Sequence, residues 1–133
     1  MLPESTATAK DAAQALNVEL HQIGKSIVLG NETNTIVAIV CGDQKVNVAI
    51  LSEELKVDNL TPLKADEIKQ RIGFAIGGVS PFALPSGTAI IIDTRLYNLS
   101  KCFVAAGHPK AVVSTTGKEI AALTNAKVSL ICD

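Results

Sequence analysis

Two aliphatic runs, set close together in the chain, leave few architectures open to this protein. The run Thr35–Cys41, TIVAIVC, follows a similar run at residues 25–29, and the Asn-rich segment 31–34 between them predicts a turn. A strand with one wet face alternates apolar and polar residues, whereas these two runs are almost continuously apolar. They therefore predict a hairpin inside a sheet that is covered on both faces.

The remaining segments predict a mixed α/β fold. Helices are expected at Ala9–Leu16, Val48–Leu55, Ala65–Ile72 and 116–123, and further strands at residues 88–92, 102–106, 111–114 and 127–131. For the second helix, a strand that begins at Val46 is the alternative. Gly73 is the expected C-terminal cap of the third helix, and Thr116 with Glu119 predicts a capping box at the last one. Residues 1–133 are thus expected to form a single compact domain with a mixed sheet and three or four helices.

Charge and cysteine content limit the function classes. The 133 residues carry a net charge of −1 with scattered lysines, which argues against broad binding of a nucleic acid backbone but leaves room for contact with one end of an RNA. Cys41, Cys102 and Cys132 are far apart and lie within or beside apolar runs, so we expect small core residues in a reducing compartment. No leader pattern and no apolar window of about 18 residues is present, which predicts a cytoplasmic protein without a membrane partner.

Sequence motifs for the common catalytic sites are absent. The chain has no G-x-S-x-G elbow, no H-E-x-x-H zinc motif, no C-x-x-C pair and no phosphate-binding P-loop. With two histidines in the chain, a metal site built on histidine would have almost no spare ligands. A conventional triad or zinc enzyme is therefore not expected, and neither a metal nor a cofactor is predicted.

Three polar residues lie within apolar surroundings and are the candidate functional side chains. Alternation places Lys25 on the same face as Ile27 and Leu29, where its amine either reaches water past a packed stem or binds a phosphate, carbonyl or carboxylate in a cleft. Asp93 ends the run TAIIID, where a carboxylate commonly accepts hydrogen bonds from the following turn. His108 lies in AAGHPK between a glycine and a proline, a pattern that on its own is typical of a surface loop.

Residues 73–87, GFAIGGVSPFALPSG, form a segment rich in glycine and proline after the third predicted helix. Gly77 and Gly78 permit a positive φ or a backbone with no side chain in the way, and Pro81 pushes Ser80 toward an extended shape. A rigid, uncharged loop of this kind presents backbone N–H groups to a carbonyl oxygen without further reorganisation. Ordinary tight turns use the same residues, so the loop alone leaves both interpretations open.

Taken in order, STATAKDAAQAL, GKSIVL, GFAIGGVSPF, the strand that ends in Asp93, and AAGHP resemble the YbaK and prolyl-tRNA synthetase-associated editing domain family. The resemblance covers nearly the whole chain, and its most specific parts are Lys25 at the start of a strand and the GGVSPF loop. It implies a single α/β domain with a mixed, strongly curved, barrel-like sheet. It also implies hydrolysis of the ester that joins a wrong amino acid to the terminal ribose of a tRNA, by an enzyme that acts in trans.

The resemblance further implies roles for individual residues. Lys25 would be catalytic and would contact the acceptor-end ribose or phosphate, or the aminoacyl group. The glycine-rich loop would lie against the aminoacyl group, and His108 with Gly107 would form the opposite wall of the site. The other implied site residues are Gly78 and His108 as catalytic, and Gly77, Ser80, Pro81, Phe82, Gly107 and Asp93 as substrate-binding. Since none is a strong nucleophile, an ordered water or a group of the substrate would attack the ester while backbone donors stabilise the oxyanion, without a covalent enzyme intermediate.

The expected partner is the acceptor end of a tRNA that carries a non-cognate amino acid, with an aminoacyl-tRNA synthetase as a further one. Relatives usually carry a helix and a strand before the STATA-like segment, so we expect a domain shortened at its N-terminus, with a sheet edge that a homodimer would cover. ALPSG also departs from the family pattern. The alternative function is a non-catalytic module that binds aminoacyl-tRNA, a synthetase or an amino-acid-like ligand. A purely structural domain, in which Lys25 and Gly78 border no common cavity, is the third interpretation.

Overall fold

The computed structural model describes residues 9–74, 79–85, 87–108 and 111–133. Within these ranges the chain forms five α-helices, one 3-10 turn and seven strands. In chain order they are α1 (Ala9–Leu16), the 3-10 turn (Leu20–Gln22), β1 (Gly24–Gly30), β2 (Thr35–Cys41), α2 (Val48–Leu55), β3 (Thr61–Pro62), α3 (Ala65–Ile72), β4 (Ala89–Asp93), α4 (Thr94–Tyr97), β5 (Cys102–His108), β6 (Ala111–Thr115), α5 (Gly117–Thr124) and β7 (Lys127–Ser129). None of these helices is long and apolar enough to cross a membrane.

The strands form a mixed sheet, as expected, and a separate hairpin. The five-stranded sheet has the order β3-β1-β2-β4-β7, in which β1 is antiparallel to β2 and β3 while β2, β4 and β7 are parallel. Strands β5 and β6 pair with each other, and an isolated bridge from Ile23 to Phe103 joins the hairpin to the start of β1. The pairing order is open, with β3 and β7 at its ends, so the predicted barrel-like closure is not confirmed. Three or four helices were expected, and the described residues form five.

Both faces of the central strands are covered, which confirms the prediction from the continuous aliphatic runs. Alternate residues of β1, β2 and β4 pack into two separate clusters. One face, with α2 and the C-terminal segment, contains Leu29, Ile36, Ala38, Val40, Leu51, Ile91 and Ile131. The other, with α3, α4, α5 and β5, contains Val28, Val37, Ile39, Ile68, Ile72, Ile92, Leu96, Val104 and Ile120. Burial of these aliphatic side chains is the main favourable term in folding.

Helix ends follow the local signals with one difference. Gly73 ends α3 in the left-handed region with φ of 81°, as predicted. The Thr116 side chain accepts a hydrogen bond from the Glu119 N–H at 3.0 Å and so caps α5. The predicted capping box also needs the Glu119 carboxylate to accept from the Thr116 N–H. Instead, the Glu119 carboxylate accepts from the Thr115 hydroxyl at 2.5 Å.

Two strands end two residues away from their predicted ends, and one strand was not predicted. β5 continues past the predicted end at residue 106 to His108, so the interpretation of His108 as a loop residue is wrong, although the pairing with β6 becomes irregular between Ala105 and His108. β7 ends at Ser129 rather than at residue 131, because the chain leaves the sheet edge there and turns across one face. β3 was not predicted, since two residues that include a proline carry no periodic signal and proline is tolerated only at a sheet edge.

Candidate functional site

Lys25 lies at the end of the sheet where the parallel strands β2 and β4 finish. Lys25 is near the start of β1 and pairs with Val40 near the end of β2, because β1 and β2 are antiparallel. Alternation with Leu29 places its side chain on the face that carries α2 and the C-terminal segment. The side chain is partly exposed, and the ammonium forms no ion pair or hydrogen bond with any residue that the structure describes.

Asp93 lies at the same end and on the same face, at the last position of β4. Its residue is 1% exposed. One carboxylate oxygen accepts from the Arg95 N–H and from the Gln44 side-chain amide, both at 3.0 Å, and the other accepts from the Ile131 N–H at 3.0 Å. These bonds confirm that Asp93 caps the turn after its strand, in this case as the N-cap of α4. Its expected contact with substrate stays a prediction.

The partly buried Cys132 thiol interacts electrostatically with both Asp93 and Lys25. Ile92 pairs with Ile39, so Asp93 lies beside Val40, which itself pairs with Lys25. Asp93 and Lys25 are therefore two strands apart, and their Cα atoms are separated by about 10 Å. Burial raises the pKa of the Cys132 thiol to about 12, the charge and hydrogen bond of Asp93 raise it too, and the Lys25 ammonium lowers it. Lys25 and Asp93, which were predicted from separate motifs, thus both influence the pKa of a third residue that no motif indicated.

The remaining cysteines are core residues, as predicted. Cys41 and Cys102 are fully buried, and burial raises the pKa of each thiol to about 11. A cysteine acts as a nucleophile through its thiolate, which is a very small fraction at neutral pH for such pKa values. Both thiols are therefore almost entirely protonated at neutral pH.

The glycine-rich loop is only partly described. Ser80 and Pro81 are buried, Phe82 is 37% exposed, and the Phe82 N–H donates to the Ser80 hydroxyl at 3.3 Å, which is a tight turn. Val79 packs into the cluster on the face opposite to that of Lys25. Gly77 and Gly78 lie outside the described residues. The part of the loop that is described does not reach Lys25.

The second predicted wall, at Gly107 and His108, belongs to strand β5, whose side chains at these two positions fall outside the description. The start of β5 lies directly beside the strand that carries Lys25. A Cβ atom on Gly24 would be 2.8 Å from Val104 Cγ1, so the two strands approach each other closely at this point. Only a residue without a side chain fits between them, and this explains the glycine that precedes Lys25.

Comparison with known proteins identifies the chain's family. Residues 3–123 match the family described as the aminoacyl-tRNA editing domain. The chain belongs to this family. The match confirms the resemblance seen in the sequence, and it covers Lys25, the glycine-rich loop and β5 of this editing domain.

Individual relatives are similar over much of the editing domain. It is 30% identical over 127 residues to the uncharacterized protein YwhH of Bacillus subtilis, covering 93% of this chain and 79% of that protein. It is 25% identical over 130 residues to EbsC of Enterococcus faecalis, a candidate Cys-tRNA(Pro)/Cys-tRNA(Cys) deacylase. The match covers 91% of this chain and 79% of EbsC. A 30% match over 98 residues to the proline–tRNA ligase of Streptococcus thermophilus covers 74% of this chain and spans only 16% of the ligase.

A solved structure gives the same result. The crystal structure of a candidate trans-editing enzyme for prolyl-tRNA synthetase superposes with a TM-score of 0.89 at 33% identity, covering 99% of this chain and 83% of that one. The family and these names agree with the expected enzyme class, a hydrolase of aminoacyl-tRNA.

Proposed function

We propose that this editing domain is a trans-acting deacylase that hydrolyses the ester of a mischarged tRNA. The observation that carries the proposal is the Lys25 ammonium, partly exposed and without a partner among the described residues. It lies at the carboxyl end of parallel strands, where α/β sheets commonly bind ligands. A free cation there suits a substrate that carries a phosphate and an ester carbonyl, and both groups are present at the aminoacylated end of a tRNA.

The reaction needs no covalent intermediate on the enzyme. Water adds to the ester carbonyl carbon, the bond from that carbon to the ribose oxygen breaks, and the ribose oxygen leaves with a proton as the free hydroxyl of the tRNA. The high pKa values of the three thiols support attack by water rather than by cysteine. In this proposal Lys25 holds the acceptor end or the carbonyl oxygen, and backbone N–H groups around Gly78 stabilise the oxyanion.

The partner follows from the same chemistry. A net charge of −1 suits a protein that contacts only the acceptor end of a tRNA, because few phosphates need to be neutralised. The names of the relatives point to tRNA of the proline system as the first substrates to test. We propose that residues 1–133 act as one domain in the cytoplasm, with His108 and Gly107 on the wall formed by β5.

The test is deacylation of a panel of mischarged tRNAs, with each amino acid's release measured against a control without enzyme. Lys25→Ala and Lys25→Met remove the charge, and Lys69→Ala is the matched control, since Lys69 is exposed on α3. Loss of one group that stabilises the oxyanion typically lowers kcat about 100-fold or more. We expect such a loss for both Lys25 variants and none for the control. Activity within threefold of wild type in Lys25→Met would refute the assignment of Lys25.

A non-catalytic binding module is the second candidate. The observation in its favour is that Val79 packs on the face opposite to Lys25, so the described part of the loop does not meet the cation. This candidate predicts that aminoacyl-tRNA raises the fluorescence anisotropy signal of labelled protein while no ester in the panel is hydrolysed. Turnover of any alanyl, cysteinyl, seryl or prolyl ester would exclude it.

A further inference from the structure

The C-terminal residues 131–133 are fixed across the face of the sheet that carries Lys25. Ile131 is fully buried in the cluster of that face, its N–H donates to Asp93 and its carbonyl accepts from the Asn47 N–H at 2.8 Å. Cys132 forms an antiparallel bridge with Val46, and the Asp133 carboxylate accepts from the Asn47 side chain at 2.7 Å. This segment is therefore part of the rigid structure around the Lys25 end of the sheet.

Asp93 is the junction that holds this segment to the sheet. Its buried carboxylate joins three parts of the chain through hydrogen bonds to Gln44, Arg95 and Ile131. The Gln44 side chain also accepts from the Cys41 N–H at 3.0 Å, so the loop after β2 is tied to the same carboxylate. With both oxygens occupied by structural donors, Asp93 is suited to orient neighbouring groups rather than to bind substrate directly.

We propose that Asp93 is a positioning residue that holds residues 131–133 as a wall of the Lys25 site, so that Cys132 contacts the aminoacyl group of a bound tRNA. Three observations support this assignment: Lys25, Cys132 and Asp93 share one face at one end of the sheet, Cys132 is partly exposed, and the segment is tied down on both sides. The inference rests on the proposed deacylase function and adds a determinant of amino-acid selectivity to it.

The prediction concerns selectivity, because a loosened or shortened wall admits a larger aminoacyl group. Asp93→Asn keeps the shape of the side chain but turns one acceptor into a donor, which opposes at least one of its three hydrogen bonds. Cys132→Ala shortens the wall itself. A change of one methylene in a pocket shifts kcat/KM by about 10 to 200-fold. We expect each variant to raise kcat/KM for leucyl-tRNA relative to alanyl-tRNA by about tenfold or more.

Two controls separate this role from a merely structural one. Asn31→Ala removes a turn side chain that accepts from the Thr33 and Asn34 N–H groups at the far end of β1, so it weakens the sheet away from the site. Cys102→Ala removes a fully buried thiol on the opposite face. We expect both to lower thermal stability without moving the leucyl-to-alanyl ratio. If Asp93→Asn does not fold, the comparison of Cys132→Ala with Cys102→Ala decides the question.

The outcomes also separate this inference from the proposed function. If all four variants lower both activities equally, the wall assignment is wrong and Asp93 is purely structural, while deacylation stands. If wild type hydrolyses neither ester, the deacylase proposal fails, and a titration with the non-hydrolysable amide 3′-alanylamino-3′-deoxyadenosine decides the wall alone. A change in the Cys132 amide NMR resonance on titration would support the wall, and an unchanged resonance would overturn it.

Discussion

Replacing Gly24 by alanine tests whether the close approach of β1 and β5 fixes the position of Lys25. A methyl group on Gly24 would lie 2.8 Å from Val104 Cγ1 and 3.4 Å from Leu96 Cδ2, against an ordinary contact of 3.4 to 4 Å. Val104 is 1% exposed, and a β-branched side chain has little rotamer freedom, so either the strand or the valine must shift. Overpacking of this kind costs about 1 to 3 kcal/mol of unfolding free energy.

A second substitution, Val104→Ala, allows the coupling between positions 24 and 104 to be measured as a free energy of unfolding. It removes two methyl groups, which costs about 2 to 3 kcal/mol once the cavity is included. In the double variant the new methyl at position 24 occupies part of that cavity. The double variant should therefore be more stable than the sum of the single changes implies, by a coupling of about 1 to 2 kcal/mol.

Urea unfolding of wild type, both single variants and the double variant measures this coupling, and deacylation measures its effect on the site. Gly24→Ala should lower kcat/KM because it displaces the adjacent Lys25, and Val104→Ala in the same chain should restore part of that activity. Additive unfolding free energies, or a Gly24→Ala protein as stable as wild type, would refute the steric reasoning.

Further predictions concern the helix ends and the buried thiols. Thr116→Ala should cost about 1 kcal/mol in urea unfolding, because it removes the N-cap of α5, whereas Thr116→Ser should cost much less. Gly73→Ala should cost about 1 kcal/mol, since its φ of 81° disfavours any residue with a Cβ, and Gly73→Asn should cost less than alanine does. Burial raises the pKa of Cys41 from 9.0 to about 11 in the folded state, so its contribution to stability is complete below pH 9 and is lost as the pH rises toward 11. Urea unfolding at pH 8 and pH 10.5 should therefore show a smaller loss of stability for Cys41→Ala than for wild type, and equal losses would contradict a buried neutral thiol.

Local signals predicted most of the elements. The boundaries of α1, β2, α2 and α3 agree with the sequence prediction, because each depends on residues within a few positions of one another, such as the left-handed glycine after α3. β7 and β5 were misjudged at their ends, where the outcome depends on which distant segment offers a hydrogen-bonding partner.

The candidate site shows the same division. Lys25 and Asp93 were found because a polar residue stands out against an apolar run. Cys132 was assigned only to the core and Gln44 was not singled out, because a cysteine near an apolar strand and a glutamine in a polar turn are unremarkable in sequence. Cys132 reaches its surroundings because the C-terminal segment crosses the sheet, and Gln44 reaches Asp93 from the turn after β2.

By itself, the sequence determined the mixed α/β class, the two covered faces of the sheet and the family, since periodicity, caps and short motifs are properties of neighbouring residues. The tertiary structure alone decided that Asp93 is satisfied by Gln44, 49 positions away, and by Ile131, 38 positions away. The physical reason is that a buried carboxylate must find hydrogen-bond donors wherever the packed chain supplies them. The sequence shows the acceptor, but only the folded chain shows which donors reach it.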